Sequence, residues 1–417
     1  MLTNIKQLIM RALSNLCVSF IVFVITSCGS EKLTDSQNLI PININPNEVY
    51  EGLLSGLFEI VDIVFLEDQE ASVISAYDIT KMRYYDGFFY LFDDWRRRGL
   101  FSFDSDGQFV MQVGKRGRGP GEYMTPRDFN INHWQNRIEI YDVLNDKLLF
   151  YCFNGEHIGE YNLIGRKARA YEVIDPFNYA FFNVGDYDEA LAQNVDDYEH
   201  LPKNFFLSPQ SEFSVNLASI PTEPNYDFMN SSNPFSNYNG NVLFMSGLRD
   251  TIYSVSSDGV EPGFVLNFSG ERLPPQLMKT DTDMEIMSYL ENNFVPGYKM
   301  FLNETADHIS FCYSYGRGMS IVFYNKHNGE VINIGHKTST DNEIDVRPLL
   351  FPPRCIIKDT MFVSLVEPAD FFRVYDDFVK ASHDNQKDPR SSLINMEEIA
   401  SRIEMDSNPF LIIYKLK

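Results

Sequence analysis

The residues best suited to chemistry in this sequence are basic and aromatic side chains in two short segments. They are Trp95, Arg96, Arg97, Arg98, Lys115, Arg116, Arg118 and Tyr123. The planar, permanently charged guanidinium group of arginine suits carboxylate, sulfate or phosphate groups. The glycines between Gly114 and Gly121 also allow backbone N–H groups to approach an anion. These residue types indicate a surface that binds an anionic glycan, peptide or protein partner, with Trp95 as a stacking surface.

A structural role for the same residues stays open. The arginines could form ion pairs with acidic loops of neighbouring sheets, and the run Gly119-Pro120-Gly121 could shape the connection between two sheets. A binding surface requires exposed arginine and aromatic side chains, whereas ion pairing within the chain would use up their charge.

Other chemical motifs are weaker. The glycine run lacks the spacing and the Lys-Ser/Thr pair of a phosphate-binding loop, and there is no GxSxG nucleophile motif. The seven histidines lack metal-ligand spacing, although strands from different parts of the chain could assemble a metal site that linear spacing hides. Acidic pairs such as Asp93/Asp94, Asp196/Asp197 and Asp376/Asp377 are better explained by turn capping than as glycosidase carboxylates. No catalytic residue, metal ligand or cofactor is therefore predicted.

The elements that must position these residues form a repeated strand–turn–strand pattern. Its first copy comprises Ile79–Tyr84, Phe88–Asp93, Gly99–Phe103 and Gln108–Val113, with turns at Asp86-Gly87 and Asp106-Gly107. Its second copy comprises Phe129–Ile131, Arg137–Asp142, Lys147–Phe153 and Glu156–Tyr161. Asp-Gly and Asn-Gly turns between apolar strands favour hairpins because tight turns need positive φ. A four-stranded meander repeated about every 40–50 residues is typical of propeller blades.

Weaker copies of the pattern continue towards the C-terminus. They run from about Ala170 to Phe213, over Asn241–Phe268 and His308–Ile334, and from Arg354 to Val374, completed by a terminal strand. The sequence therefore predicts an all-β, six-bladed β-propeller of four-stranded antiparallel blades over residues 58–417. Pairing Phe410–Lys417 with an N-terminal strand in one shared blade would remove the unpaired edges of the ring.

Inserted segments interrupt the strand pattern. Met284, Met287 and Leu290 repeat at helical spacing after the capping-box candidate Thr282, and so do Leu393, Met396, Ile399 and Ile403 after Ser391 and Ser392. These stripes predict two short helices packed on the propeller. The polar stretch Asn183–Asn204 predicts a long surface excursion.

The meander brings the two basic segments together. If each blade runs from the central channel outward, its hairpin turns lie on one face of the disc. The loop Asp94–Arg98 and the exit loop Gly114–Tyr123 then share the opposite face. We call the eight basic and aromatic residues of these loops, named above, the basic rim.

The N-terminus resembles a secretory signal. Lys6 and Arg11 precede the apolar run Leu16–Ile25, which is short for a membrane span, and Ile25-Thr26-Ser27-Cys28 resembles a bacterial lipobox. We therefore predict a lipoprotein signal peptide over residues 1–27, a lipidated Cys28 with a flexible tether over residues 28–57, and the propeller over residues 58–417. An uncleaved anchor or an ordinary signal peptide is the alternative.

Charge and cysteine content narrow the range of partners. The formal net charge of the chain is −23, and it becomes more negative when Lys6 and Arg11 leave with the signal, which argues against nucleic-acid binding. Cys152, Cys312 and Cys355 are far apart and odd in number, so they predict buried thiols rather than a disulfide framework. We expect a monomer that touches the membrane only through its lipid.

Three motifs resemble a known family. Gly117-Arg118-Gly119-Pro120-Gly121-Glu122-Tyr123, Asp250-Thr251-Ile252-Tyr253 and the stretch from Asn408-Pro409-Phe410 to Lys417 resemble the uncharacterised, NHL-like, six-bladed β-propeller lipoproteins of Bacteroidetes. The resemblance covers nearly the whole mature chain. It implies the blade count and the lipid anchor, and it implies no particular activity.

These observations predict a lipid-anchored envelope protein of the outer membrane that acts as a binding module. The alternative is an envelope glycan hydrolase or lyase with its site at the mouth of the propeller channel. An enzyme would require titratable groups that converge on one pocket with perturbed pKa values. A binding rim would require exposed arginine and aromatic side chains without that convergence.

Overall fold

The computed structural model describes residues 39–96, 98–163, 168–182, 206–209, 216–217, 233–245, 247–277, 283–335, 345–383 and 393–417. The compact folded unit comprises Pro41–Lys417. The predicted signal, Cys28 and the predicted excursion Asn183–Asn204 lie outside the described residues. Within those residues, no helix is long and apolar enough to cross a membrane.

The described strands form five four-stranded sheets and one five-stranded sheet. Numbered by their first strand, sheet 1 comprises Ile79–Tyr85, Phe88–Asp93, Gly99–Asp104 and Phe109–Val113, and sheet 2 comprises Pro126–Asn132, Arg137–Asp142, Lys147–Tyr151 and His157–Asn162. Sheet 3 comprises Ala170–Val173, Asn178–Phe182, Phe206–Pro209 and Asn216–Leu217. The turns at Asp86-Gly87 and Asn239-Gly240 have positive φ at both residues, as tight hairpins require.

The remaining three sheets continue the pattern. Sheet 4 comprises Phe235–Tyr238, Asn241–Met245, Thr251–Ser256, Gly259–Phe268 and Ile40–Ile44, and sheet 5 comprises Lys299–Glu304, His308–Tyr315, Gly318–Asn325 and Val331–Ile334. Sheet 6 comprises Cys355–Ile357, Met361–Val366, Phe410–Leu416 and Phe58–Phe65. A separate parallel pair joins Lys115–Arg116 to Glu122–Tyr123. The prediction of uniformly four-stranded blades is thus wrong for sheet 4, where Ile40–Ile44 adds a fifth strand.

The first strands of the sheets surround a common centre. Each contacts the first strand of the next sheet in chain order, and the first strand of sheet 6 contacts that of sheet 1. The chain is therefore an all-β propeller, as predicted. In sheet 6, Phe410–Leu416 lies between Met361–Val366 and Phe58–Phe65, with Phe410 opposite Phe65 and Leu416 opposite Phe58. This pairing confirms that the C-terminal strand shares a sheet with an N-terminal strand.

A polar side chain bridges every junction between neighbouring first strands or the residues that lead into them. The bridges are Lys81 to Asp128 (2.9 Å), Tyr171 N–H to Asp128 (2.8 Å), Asn237 to Val173 O (3.1 Å), Glu304 N–H to Ser236 (2.8 Å), Asn303 to Pro353 O (3.3 Å) and Arg354 to Ile79 O (3.3 Å). Because a buried backbone group must find a partner, these side chains satisfy groups at the centre of the ring where no further strand pairing is available.

In the described segments, five helices connect or flank the strands. They are Leu54–Leu57, Asp283–Asn293, Arg347–Leu350, Pro368–His383 and Met396–Ala400. Asp283–Asn293 and Met396–Ala400 confirm the two predicted helices. Asn395 caps the second by accepting from Glu398 N–H, and the cap candidates Ser391 and Ser392 lie outside the described residues. The sixth copy was expected to continue as strand to Val374, but the chain becomes helical at Pro368.

The segment expected to be a flexible tether contains regular structure from Ile40 onward. Ile42 and Ile44 of its strand are buried. Asn45–Tyr50 then follows the outer strand of sheet 5, where Tyr50 N–H donates to Asn333 O (2.7 Å). Asn333 in turn donates to Asn45 O (3.1 Å). The chain therefore runs along the outer edges of sheets 4 and 5 before it enters sheet 6.

Candidate functional site

Two arginines of the basic rim are held by carboxylates. Arg96 Nε lies 2.7 Å from the buried carboxylate of Asp78, and Arg98 Nε lies 2.5 Å from Asp93, which is fully buried. Arg98 also lies over the Phe101 ring, 5.3 Å from its centroid. Both guanidinium groups therefore contact buried carboxylates, although the Arg96 side chain itself is largely exposed.

The glycine-rich loop already holds an anion, which is the side chain of Glu122. Gly119 N–H donates to Glu122 Oε2 (2.8 Å), and Lys115 Nζ lies 3.3 Å from Glu122 Oε1. The Gly119 hydrogen bond and then Lys115 lower the pKa of the Glu122 carboxyl. The backbone donors expected for an external anion thus bind a carboxylate of the chain itself.

The remaining rim residues divide between surface and core. Trp95 is 72% exposed, and the side chains of Arg116 and Arg118 are exposed without an ion pair to any residue in the described part of the chain. Tyr123 is fully buried and donates from its hydroxyl to Arg98 O (3.0 Å), which joins the two loops as predicted. Arg97 lies outside the described residues. In the described part of the chain, the exposed rim side chains without an ion pair are Trp95, Arg116 and Arg118, while Arg96 and Lys115 are exposed but ion-paired.

A much larger concave site lies at the centre of the ring. A cavity of about 640 Å³ is lined by the C-terminal parts of the six first strands and by the turns that follow them. We call it the channel pocket. Its wall includes one or more residues of every sheet, among them Arg83, Trp134, Glu172, Tyr238, Glu304 and Asp359. It opens towards the hairpin turns, whereas Asp94, which begins the Trp95 loop, lines a cavity of about 20 Å³ at the other end of the channel.

A buried polar cluster separates the two cavities. Lys81 Nζ donates to Asp128 (2.9 Å) and to Asn130 Oδ1 (3.2 Å). Burial lowers the pKa of Lys81 and raises that of Asp128, while the opposite charge of each partner acts against its shift. Because Asn130 lines the channel pocket while Lys81 and Asp128 line the small cavity, the cluster lies between the two cavities.

The carboxylates of the pocket's inner wall are engaged by cations and amides. Arg83 reaches across the channel to Glu172 (2.9 Å), which Asn237 also contacts (3.3 Å). In the same way Lys326 lies 3.0 Å from Glu304, which also accepts from Asn241 (2.8 Å). Both carboxylates are therefore held in fixed positions.

Aromatic rings line the same cavity. Tyr84, Tyr85, Trp134 and Tyr238 face it. His133 stacks against Trp134 with ring centroids 3.7 Å apart. Burial lowers the pKa of His133, so its imidazole is neutral at neutral pH. The wall thus combines flat apolar ring faces with hydrogen-bonding groups, a combination typical of small-molecule sites.

Reasoning from the sequence missed these lining residues, although the alternative prediction placed a site at the channel mouth. Arg83, Trp134, Glu172, Tyr238, Glu304 and Asp359 lie in six separate segments, so no local motif joins them. Their shared signal is positional, because each lies near the end of the first strand of its sheet or in the following turn. The histidines did not yield a metal centre either, since the described residues contain no group of three or more His, Cys, Asp or Glu side chains suited to a metal ion.

Comparisons with known proteins give a family and a solved structure of similar fold. A family model described as "Domain of unknown function (DUF4934)" matches residues 39–415. The crystal structure of a Bacteroides fragilis NCTC 9343 protein named "Putative exported protein" is similar over 90% of this chain and 99% of its own, with 18% identity and a TM-score of 0.71. A DUF4221 family member from Bacteroides vulgatus matches 87% of this chain and 99% of its own, with 12% identity and a TM-score of 0.49. No curated protein matches.

Proposed function

This chain belongs to the DUF4934 family, and we propose that it is an exported, lipid-anchored envelope propeller that acts as a binding module. The sequence Ile25-Thr26-Ser27-Cys28 supports lipidation at Cys28 and a place in the outer membrane. The name of the similar Bacteroides fragilis protein supports export. We further propose that all six sheets are blades of one ring, that the ring is NHL-like, and that the protein is monomeric.

The observation that carries the binding function is the channel pocket. Its volume of about 640 Å³ lies within the range of roughly 300–1,000 Å³ that small-molecule sites occupy. The hydrogen-bonded cluster of Lys81, Asp128 and Asn130 lies at its inner end, and the first strands of the sheets form its walls. A preformed site of this kind loses little entropy when a ligand enters.

Binding is a better explanation of the pocket than glycan hydrolysis. A hydrolase needs one carboxyl group that donates a proton and a second that acts as base or nucleophile. Here Glu172 is paired with Arg83 and Glu304 with Lys326, and Asn237 and Asn241 contact the same two carboxylates. The two carboxylates are therefore already engaged within the chain, and neither is placed as a free partner for a glycosidic oxygen or a water molecule.

The basic rim is a second candidate site because Trp95, Arg116 and Arg118 remain exposed. Exposed arginine side chains and an exposed indole suit an anionic glycan, peptide or envelope protein. This candidate is weaker than the pocket because Asp78, Asp93 and Glu122 already contact the other rim cations that the structure describes.

The two tryptophans of the chain allow one experiment to test both sites. Trp134 lines the channel pocket and Trp95 lies on the basic rim, so Trp95→Phe leaves a pocket reporter and Trp134→Phe leaves a rim reporter. Both variants are titrated with neutral oligosaccharides, uronic-acid oligosaccharides and an acidic peptide while indole fluorescence is followed. We expect a saturable change in the variant that retains Trp134. If only the variant that retains Trp95 responds, the rim is the site, and if neither responds, the binding function is contradicted.

A further inference from the structure

The channel pocket is electrically balanced, although the chain carries a net charge of −23. Both inner carboxylates are matched by a cation within 3.0 Å. The two other charged side chains of the wall, Lys358 and Asp359, are adjacent and of opposite sign. His133 adds no charge at neutral pH because burial lowers its pKa. The pocket therefore offers no surplus charge of either sign.

This balance disfavours a charged ligand. An anion entering the pocket would meet the negative field of the whole chain, with every inner cation already engaged. A cation would find the inner carboxylates neutralised and the face of Tyr238 taken, because Lys326 Nζ lies 5.1 Å from the centroid of that ring. In either case the ligand would lose hydration without gaining an unpaired partner.

The wall does suit a neutral molecule that has both flat apolar faces and many hydroxyl groups. The rings of Tyr84, Tyr85 and Trp134 provide faces for stacking. The carboxylate oxygens of Glu172 and Glu304 are acceptors held in position by their cation and amide partners, and charge-assisted hydrogen bonds are stronger than those between neutral groups. Asn237 and Asn303 add amide groups to the same wall.

We infer that the channel pocket binds an uncharged oligosaccharide, held by ring stacking and by hydrogen bonds to the fixed carboxylates. This inference rests on the proposed function and makes it specific. The ligand class differs from the anionic partner that the basic rim suggested, because the pocket has no excess of basic side chains. Sugar rings offer alternating apolar and hydroxyl surfaces, which match a wall of aromatic rings and paired carboxylates.

The test measures the charge preference and the salt dependence of the pocket. Fluorescence of the Trp95→Phe chain is titrated with maltotriose, cellotriose and triacetylchitotriose as neutral probes, with trigalacturonate as the anionic probe, and with trilysine as the cationic probe. We expect one or more neutral trisaccharides to bind at least tenfold more tightly than either charged probe. We also expect the affinity to change less than twofold between 20 and 500 mM NaCl, because a neutral ligand has no charge to screen.

Variants locate the binding. Trp134→Ala and Tyr84→Ala should each weaken the neutral trisaccharide at least tenfold in calorimetry, whereas Met405→Ala, an exposed apolar residue outside the pocket, should leave the affinity unchanged. Tighter binding of a charged probe at Trp134 would overturn the neutral-sugar inference and leave the binding function intact. Failure of all five probes would overturn the inference, and the acidic peptide and longer oligosaccharides of the earlier titration would then decide separately on the binding function.

Discussion

Lys81 and Asp128 show how one buried ion pair shapes the centre of this molecule. Their side chains are only 4% and 5% exposed, and Asp128 also accepts from Tyr171 N–H on the neighbouring sheet. Burial opposes both charges, as the pKa shifts of the two groups indicate. Each charge is therefore stable in the interior only because the other compensates it. Removing the ion pair would weaken the contacts that join sheets 1, 2 and 3.

Replacing Lys81 by Met should leave the Asp128 carboxylate buried and unpaired. Breaking a buried pair from one side costs about 3–5 kcal/mol, and we expect a loss of that size in the free energy of unfolding measured in urea. The matched control is Lys380→Met, whose partner Asp377 is as exposed as Lys380 itself, so its loss should stay below about 1 kcal/mol. Equal losses in the two variants would contradict the structural role of Lys81.

The basic rim shows what residue types alone could and could not predict. The sequence correctly placed the two loops in contact, through Tyr123 and Arg98, because the meander determines which turns share a face. It could not show that Glu122 would occupy the glycine-rich loop, because carboxylates are abundant in this chain and the partner of a given arginine depends on side-chain geometry. In an acidic protein, arginines and glycines that suit an external anion can thus be occupied by a carboxylate of the chain itself.

Among the elements, the strand Ile40–Ile44 changes the expected boundary of the fold. Its sequence Ile-Pro-Ile-Asn-Ile alternates, and Ile42 and Ile44 are buried while Pro41 and Asn43 are exposed. Proline is tolerated there because the strand lies at the edge of sheet 4. Five alternating residues among polar neighbours are a weak strand signal, so the sequence alone predicts a tether over this segment.

Ile42→Ala should destabilise the propeller, because Ile42 packs in the apolar cluster that contains Leu266 and Phe268. Truncating a buried isoleucine costs about 2–5 kcal/mol, and urea denaturation would measure it. The control is Asn43→Ala on the opposite side of the same strand, where we expect a change within about 0.5 kcal/mol. If neither variant changes the unfolding free energy, the strand contributes nothing to the fold.

Helix Pro368–His383 shows where local strand signals misled the prediction. The apolar residues Phe371, Val374 and Phe378 are buried and follow helical spacing. The strand pattern instead predicts that the sixth copy extends to Val374. Proline at the first helical position and Asp370 in the first turn are start signals that favour a helix. Tight hairpin turns, by contrast, predicted the strands of sheets 1 and 2 well, since positive φ limits the residues that can form them.

For the whole molecule, ring closure depends on one strand. Phe410–Leu416 has a partner on each side in sheet 6, and Phe410, Leu411, Ile412 and Tyr414 are completely buried. The sequence predicted this closure because an open ring would leave unpaired edges. The channel pocket could not be predicted residue by residue, because its wall combines six distant segments whose distances depend on the finished ring.

A chain that ends at Pro409 should fail to form the native ring. Without Phe410–Leu416, sheet 6 loses its middle strand, so the near-ultraviolet circular dichroism of the buried tyrosines should collapse and protease resistance should fall. A chain that lacks only the exposed Lys417 is the control and should keep both properties. Native circular dichroism in the longer truncation would show that the ring closes without this strand.

The order of synthesis gives that strand a further consequence. Of the strands described here, Phe410–Leu416 is the last to be made, and Phe58–Phe65, its partner, precedes the first strand of sheet 1. The ring cannot close before Phe410–Leu416 has been translated. A precursor that is exported during its synthesis would therefore enter the translocation pore as an open chain, and the ring would close only after passage.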